Sequence, residues 1–166
     1  MGPAAMEGMI LEHTLERPDG LIDCATVLDV GAGVRPFQWY RPERHICVEP
    51  YGQYCDILRW HGYEVLQMTA DEALANQRAE GVLMLDVIEH MEKDLARRVL
   101  ALARDAASRQ VVVYTPLGFM VQESDAWGYD GHEWQRHRSG WTPEDLPGWT
   151  IQVQESRRGF FALWTK

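Results

Sequence analysis

The sequence has few of the features that mark secreted, membrane-spanning or disulfide-linked proteins. It contains only three cysteines, and Cys24, Cys47 and Cys55 have neither the spacing of a metal site nor that of a redox pair. Free thiols in apolar segments fit a reducing compartment, so we expect a cytoplasmic protein. No apolar run approaches the roughly 20 residues that span a bilayer. The acidic residues Glu7 and Glu12 near the start do not fit a signal peptide.

Positive charge is also scarce. The chain has 16 Lys and Arg residues against 25 Asp and Glu residues, which gives a net charge of −9. It therefore lacks the overall basic character of nucleic-acid-binding proteins, and we expect no nucleic-acid partner. The sequence shows no internal repeat, low-complexity tract or interdomain linker. Its 166 residues are enough to bury a core, so we expect one domain over residues 1–166.

Strands and helices are predicted to alternate along the chain. Predicted strands cover residues 25–30, 45–49, 64–68, 81–86 and 110–114, and predicted helices cover residues 8–16, 52–61, 71–78 and 91–107. This alternation favours an α/β protein with a Rossmann-like, doubly wound and mostly parallel sheet. Two further strands around Arg157-Arg158-Gly159 add a C-terminal antiparallel hairpin. Residues 1–20 are expected to form the N-terminal helix and a lead-in to the first strand.

Glycines and acidic residues follow the first two predicted strands. The first strand runs into Asp29, Gly31, Ala32 and Gly33. Glycine allows a sharp turn at the strand end and lets a ligand lie against the backbone. The second strand ends at Glu49, twenty positions beyond Asp29, where a carboxylate can accept hydrogen bonds from ribose hydroxyls. Since ligands bind beyond the carboxyl ends of parallel strands, these residues indicate a nucleotide-like cofactor.

Two cofactors compete for this site. A dinucleotide fingerprint requires a third glycine three positions after Gly33, and this position is Pro36. The carboxylate of Asp29 suits a cationic ligand that carries an ammonium and a sulfonium better than it suits a pyrophosphate. The residues therefore favour S-adenosylmethionine over a nicotinamide dinucleotide. Thr69-Ala70-Asp71, after the third strand, is expected near the adenine.

Three segments together resemble class I S-adenosylmethionine-dependent methyltransferases. They are Val27 to Gly33, Glu49, and Leu85-Asp86-Val87-Ile88-Glu89-His90. The order of elements resembles that fold from about residue 21 to the final hairpin. Within the class, the chain is similar to a small bacterial and archaeal group. That group pairs a Gly-x-Gly-x-Arg-Pro loop, here residues 31–36, with a Trp-Gly…His-Arg-Ser-Gly-Trp-Thr segment, here residues 127–142.

The resemblance implies a role for each matching residue. In the first loop, Gly31, Ala32 and Gly33 would lie behind the methionine and ribose, and Asp29 would orient the loop and the ammonium. Glu49 would hold the ribose hydroxyls, while Pro50 or Tyr51 would flank the adenine and Ala70 would approach it. Asp86 and Val87 would line the methionine side. The chain departs from the class in two places. The helix after Gly33 is expected to be short or missing, and the loop 115–140 replaces a helix on the acceptor side.

Titratable residues follow the fourth strand and recur in the loop 115–140. A hydroxyl acceptor must lose its proton during methyl transfer, which favours a histidine or carboxylate nearby. Glu89, His90, His132 and His137 are the candidates, and His137 is favoured as base or acceptor contact. Glu89 and His90 have three open interpretations. They could begin the helix that follows and pack beneath the loop, act as general base, or bind a divalent metal with His137, as a similar pair does in small-RNA 2′-O-methyltransferases.

The sequence thus predicts an S-adenosylmethionine-dependent methyltransferase that acts on a small molecule, with O-methylation favoured by the clustered titratable groups. The tryptophans of the loop suit a flat or sugar-like acceptor, and Arg136 or Arg138 could meet an acidic group on it. Thr142-Pro143 is predicted to begin a helix. One alternative is a cofactor-binding subunit without catalysis, and another is a nicotinamide-dependent oxidoreductase. The oligomeric state, the acceptor and the use of a metal stay open.

Overall fold

A computed structural model describes residues 8–11 and 13–166 of the chain. Glu7 and Glu12, which argued against a signal peptide, lie outside the described residues. The strands are β1 (Thr26–Val30), β2 (Arg44–Val48), β3 (Glu64–Leu66), β4 (Ala79–Leu85), β5 (Ala107–Pro116), β6 (Thr150–Gln154) and β7 (Gly159–Thr165). The helices are α1 (Gly52–Trp60), α2 (Ala70–Asn76), α3 (Lys93–Ala106) and the single turn α4 (His132–Gln135). Short 3-10 turns cover Ile88–His90, Pro143–Asp145 and Glu155–Arg157.

The strands form one seven-stranded sheet in the order β3-β2-β1-β4-β5-β7-β6. Strands β1 to β5 are parallel to one another, and β7 pairs antiparallel with both β5 and β6. The predicted α/β sheet with a C-terminal antiparallel hairpin is therefore confirmed. The chain order reverses between β1 and β4, and this reversal opens a crevice at the carboxyl ends of the two strands.

The two faces of the sheet are covered differently. Helices α2 and α3 pack on one face, where Ala96, Val99 and Ala103 of α3 are buried against strands β4 and β5. The opposite face is covered in part by irregular segments, which contribute Leu15, Leu21 and Phe37 to a second cluster of buried side chains. The helix predicted for residues 91–107 is present, although it begins only at Lys93, after the 3-10 turn.

The predicted helix 8–16 is wrong for the residues that the structure describes in this range. Residues 8–11 and 13–16 follow an irregular path. The backbone amide of Leu11 donates to Val34 O, and Leu15 O accepts a hydrogen bond from the indole nitrogen of Trp39. These groups pair across the chain, so the segment gains packing against the sheet in place of its own helical hydrogen bonds.

The helix expected to be short or missing after Gly33 is absent from residues 34–43, all of which the structure describes. Phe37 is buried there and contacts the rings of Trp39, Tyr40 and His45. Aromatic packing thus covers the sheet where an amphipathic helix would otherwise lie. This irregular segment joins the carboxyl end of β1 to β2, and its first residues, Gly31, Ala32 and Arg35, line the crevice.

The segment that follows β5 is irregular apart from the single turn α4. Its beginning and end lie together, because the amide of Gly118 donates to Trp141 O and the amide of His137 donates to Gln122 O. The predicted helix start at Thr142 is a 3-10 turn, in which the Asp145 carboxylate accepts the Thr142 amide. Among the described residues, no helix is both long and apolar enough to cross a membrane.

Candidate functional site

A cavity of about 610 Å³ lies at the carboxyl ends of the parallel strands. Ten of the residues proposed from the sequence line it: Gly31, Ala32, Glu49, Pro50, Ala70, Asp86, Val87, Glu89, His90 and His137. They come from the ends of β1, β2 and β4, from the start of α2 and from the loop after β5. The fold thus gathers residues that are more than 100 positions apart into one crevice, where open α/β sheets bind their ligands.

The first loop turns sharply because both of its glycines have positive φ. Gly31 has φ +66° and Gly33 has φ +58°, a region that side chains rarely adopt. A Cβ on Gly31 would lie 2.7 Å from a methyl carbon of Val87, and one on Gly33 would lie 2.2 Å from the Trp127 ring. Glycine is therefore required at both positions, because any other side chain would be strained at this φ and would collide with its neighbour. Gly33 is covered by Trp127 and does not line the cavity.

Glu49 connects the first loop to the second. Its carboxylate accepts hydrogen bonds from the amide of Gly33 at 2.9 Å and from the amide of Tyr51 at 3.0 Å. The side chain is buried, and burial raises its pKa from 4.5 to about 7, although the two amide bonds act in the opposite direction. Glu49 also lines the cavity, so the same carboxylate can brace the loops and face a ligand.

Asp29 lies behind the first loop and not in the cavity. Its carboxylate is buried, accepts the amide of Phe37 at 3.0 Å and lies 2.9 Å from Nε2 of His45. The structure thus places the Asp29 carboxylate against the segment that follows the first loop, and its predicted contact with an ammonium group stays a prediction. Tyr51 also lies outside the cavity lining, since its hydroxyl donates to Tyr129 O and its ring packs against Tyr54.

Asp86 ends β4 in a left-handed conformation with φ +57°. Its amide donates to Tyr114 O at 2.9 Å, which keeps the strand end paired while the chain turns. The residue is exposed and lines the cavity. The surrounding protein removes water from its carboxyl group and raises the pKa of Asp86, although a hydrogen bond with Glu89 and the charge of Arg35 act to lower it. A strained residue that aims a carboxyl group into a cavity is a frequent feature of functional sites.

The 3-10 turn after β4 brings Glu89 and His90 to His137 of the loop. Glu89 O accepts the amides of Arg138 at 2.7 Å and Ser139 at 3.2 Å, and this pairing sets His137 beside His90. The two imidazole centroids are 4.9 Å apart. Burial, followed by the neighbouring Asp86, raises the pKa of Glu89, and burial lowers the pKa of His90 to about 4. All three residues line the cavity.

The loop over the cavity is organised by Asp125. The Asp125 carboxylate accepts hydrogen bonds from the Tyr54 hydroxyl and from the amides of Trp127, Tyr129 and Gly131. Tyr54 belongs to α1, so this carboxylate fixes the loop to the helix beyond β2. One aromatic residue of the loop is structural, since Trp141 is fully buried and its indole nitrogen donates to Ser139. Trp134, in contrast, is 44% exposed and lines the cavity.

The other candidate residues of the loop differ in whether they reach the cavity. Arg138 lines the cavity and lies 3.6 Å from the Glu133 carboxylate, whereas Arg136 lies outside the lining. His132 is exposed at the start of α4 and is also outside the lining. Of the three histidines considered for catalysis, the structure thus brings only His90 and His137 to the cavity.

Sequence reasoning did not propose several residues of the cavity wall, and four of them carry titratable side chains from distant parts of the chain. His13 lines it from the N-terminal segment, Arg35 from the first loop, Tyr114 from β5 and Arg157 from the hairpin between β6 and β7. Arg35 belongs to the Gly-x-Gly-x-Arg-Pro loop and could have been identified there. The contribution of Arg157 had no signal in the sequence, because it depends on how the hairpin folds back. Its guanidinium bonds to the carbonyl and hydroxyl oxygens of Thr14.

No sequence-family model matches the chain, and no curated protein matches its sequence. Solved structures do match its fold. An S-adenosylmethionine-dependent methyltransferase from Archaeoglobus fulgidus has a TM-score of 0.60 at 14% identity, with 86% of each chain covered. The protein DhpI, in a complex with S-adenosylmethionine and HEP, has a TM-score of 0.62 at 15% identity, covering 85% of this chain and 78% of its own.

A third match is the N-methyltransferase NodS from Bradyrhizobium japonicum WM9, with a TM-score of 0.56 at 11% identity and 86% of each chain covered. At sequence identities this low, the matches support a shared fold but do not indicate the substrate. The sheet order, the crevice at the switch between β1 and β4, and these matches agree with one another. The chain therefore has the Rossmann-like fold of the class I S-adenosylmethionine-dependent methyltransferases.

Proposed function

We propose that this protein transfers the methyl group of S-adenosylmethionine to a small-molecule acceptor. One observation carries the proposal: the buried Glu49 carboxylate lines the cavity at the end of β2 while it holds the amide of Gly33 in the first loop. A carboxylate in this position can accept hydrogen bonds from both ribose hydroxyls of a nucleoside. The fold shared with DhpI, which binds S-adenosylmethionine in its complex, supports the same cofactor.

We infer that one part of the cavity holds the cofactor and another part holds the acceptor. We assign the cofactor to Gly31 and Ala32 of the first loop, Glu49 and Pro50 of the second, and Ala70 at the start of α2. Asp86 and Val87 would adjoin its methionine portion. The walls formed by the loop after β5 then remain for the acceptor, with Trp134 available for stacking and Arg138 for an acidic group.

Methyl transfer requires the acceptor atom to lie in line with the sulfonium methyl group, so positioning supplies much of the acceleration. A hydroxyl acceptor must also lose its proton. His137 is the residue that we assign to this step, because it lines the cavity on the acceptor side and contacts His90. This grouping of titratable side chains favours O-methylation. The match to NodS, an N-methyltransferase, shows that the fold itself does not choose the acceptor atom.

The nicotinamide alternative has less support in the structure. A dinucleotide-binding loop presents the pyrophosphate to the N-terminus of the helix that follows the glycines. Here no helix follows in residues 34–43, all of them described, and Val34 is fully buried. This site consequently has no helical N-terminus on which a pyrophosphate would rest.

Calorimetric titration with S-adenosylhomocysteine tests the cofactor assignment. We expect micromolar binding by the wild type, about −8 kcal/mol, and a loss of at least tenfold in Glu49→Ala. Glu144→Ala is the matched control, because Glu144 is exposed and outside the cavity, and its affinity should equal that of the wild type. Equal binding by all three proteins would remove Glu49 from the site. No binding by the wild type would contradict the proposed function.

A further inference from the structure

We propose that Glu89, His90 and His137 form a binding site for a divalent transition-metal ion at the acceptor end of the cavity. The ion-binding part of the proposal is independent of methyl transfer. Only the role of the ion, to hold an acceptor oxygen, rests on the function proposed above. The three residues converge in space, since one ligand atom from each of them lies within 4.8 Å of the other two. All three residues also line the cavity.

The imidazole of His137 is held in an orientation that suits metal ligation. Its Nδ1 lies 2.7 Å from Met120 O, and a carbonyl oxygen can only accept, so Nδ1 carries the proton and Nε2 keeps its lone pair. Metal-binding histidines characteristically donate their second ring nitrogen to a carbonyl or carboxylate in this way. Nδ1 of His90 lies 3.4 Å from Arg136 O, and the carbonyl oxygens of Gln135 and Asp86 are also within its reach. The backbone thus fixes the tautomer of His137 and the position of His90.

The carboxyl group of Glu89 provides the second, independent observation. Its Oε2 accepts a hydrogen bond from the Thr115 hydroxyl at 3.0 Å, which fixes the orientation of the group. Its Oε1 is buried and receives no hydrogen bond from an amide, hydroxyl or basic group among the described residues. The carboxyl group of Asp86 lies beside it, within hydrogen-bonding reach. Two adjacent carboxylates repel each other when both are charged, and a bound cation would remove that cost.

The donor set indicates which metals would bind. Two imidazoles and one carboxylate suit Zn²⁺, Fe²⁺, Co²⁺ or Mn²⁺, whereas Mg²⁺ and Ca²⁺ prefer sites made of oxygen. Three protein ligands leave further coordination positions open, as in catalytic sites. Because the cluster lines the cavity, these positions would face the acceptor. When bound, the ion would act as a Lewis acid toward an acceptor oxygen and would lower the pKa of an acceptor hydroxyl. In that state the ion takes over the role assigned above to His137, because an Nε2 that ligates a metal cannot also accept a proton.

A second group of possible ligands, formed by Asp29, His45 and Cys47, carries no comparable argument. Nε2 of His45 already lies 2.9 Å from the Asp29 carboxylate, which also accepts the amide of Phe37. The hydrogen-bonding groups of Asp29 and His45 are therefore already paired, and none of the three residues lines the cavity described above. This second group still has to be distinguished in any experiment, because it could bind added metal.

The test is titration of the protein with Co²⁺, followed by visible absorption, together with calorimetry using Zn²⁺. We expect one equivalent to bind and to give the d–d bands of a nitrogen- and oxygen-ligated ion. Glu89→Gln and His137→Ala should weaken binding at least 100-fold, and Thr115→Val, which removes the support of Glu89, should weaken it 10- to 100-fold. His132→Ala is the matched control and should bind like the wild type, since His132 is exposed outside the cluster.

The outcomes separate this proposal from the cofactor assignment. Binding of S-adenosylhomocysteine by each variant shows that it is folded, and it is measured without metal. Metal binding without cofactor binding would retain the metal site and contradict the proposed function. Cofactor binding without a cobalt signal would overturn the metal site alone. Unchanged metal binding in Glu89→Gln, with loss in His45→Gln, would assign the ion to the other group and also overturn the proposal.

Discussion

Glu49 is the residue in which structural and binding roles overlap most. Its carboxylate is removed from water, so the proton is held more tightly in the folded protein than in the unfolded chain. The free energy of unfolding that depends on this group therefore falls as the pH rises from 4.5 toward about 7. The two amide bonds to Gly33 and Tyr51 limit this cost, because a charged carboxylate is the stronger acceptor. Burial and hydrogen bonding thus place the titration of Glu49 close to neutral pH.

The affinity for S-adenosylhomocysteine should rise with pH through the titration of Glu49. The ionised carboxylate accepts hydrogen bonds from ribose hydroxyls better than the neutral group does, and its pKa is about 7. If binding requires the ionised form, the affinity increases about tenfold from pH 6 to pH 8. Calorimetry at several pH values measures this slope. Glu49→Gln cannot ionise, and a slope of equal size in that variant would show that another group is responsible.

The elements around the cavity differ in how firmly they are fixed. Strands β1 and β4 end in residues held by the ladder of the sheet, whereas the segment between β5 and the 3-10 turn at Pro143 lacks regular structure. This segment depends on side-chain hydrogen bonds, above all those of Asp125. Local stability of this kind can be lost without unfolding the domain. We consequently expect the segment to open before the sheet does, and a bound ligand to oppose its opening.

Replacing Asp125 with alanine should loosen the loop while the sheet remains folded. The change removes the acceptor for the Tyr54 hydroxyl and for the amides of Trp127, Tyr129 and Gly131. We expect trypsin to cleave at Arg136 and Arg138 several times faster than in the wild type, measured by limited proteolysis. Glu123→Ala, an exposed change in the same loop, is the control. Cleavage at the wild-type rate would mean that other contacts fix the loop.

At the scale of the whole molecule, the cavity joins parts of the chain that are far apart in sequence. Its wall includes His13 near the start of the described chain and Arg157 in the last hairpin. A ligand bound there contacts elements on both sides of the sheet reversal. Such binding stabilises the folded state as a unit, because the unfolded chain has no comparable site.

S-adenosylhomocysteine should therefore raise the melting temperature, whereas NAD⁺ should not. At a ligand concentration of about 100 times Kd, linkage supplies about 2.7 kcal/mol. For a chain of this size that corresponds to a shift of roughly 5–11 °C. Differential scanning fluorimetry measures both ligands side by side. A larger shift with NAD⁺ than with S-adenosylhomocysteine would favour the oxidoreductase alternative.

Periodicity and turn residues were enough to predict the sheet and the residues at its carboxyl edge. Gly31 and Glu49 follow strands of buried apolar residues, and parallel strands present such residues along one edge. The N-terminal segment could not be predicted in the same way. Its apolar residues fit a helix, but Leu11 and Leu15 make backbone hydrogen bonds with Val34 and Trp39, which are distant in sequence. A local pattern contains no information about such partners.

The sequence by itself determined the order of elements and the cavity-lining residues at the ends of β1, β2 and β4, because strand periodicity and glycine conformations are local properties. Only the tertiary structure decided which chemical groups meet. It turned Asp29 away from the cavity toward His45, and it brought His137 to Glu89 and His90 through the amides of Arg138 and Ser139. These outcomes depend on how an irregular loop packs on a sheet edge. Hydrogen bonds between distant residues set that packing, and no periodicity encodes them.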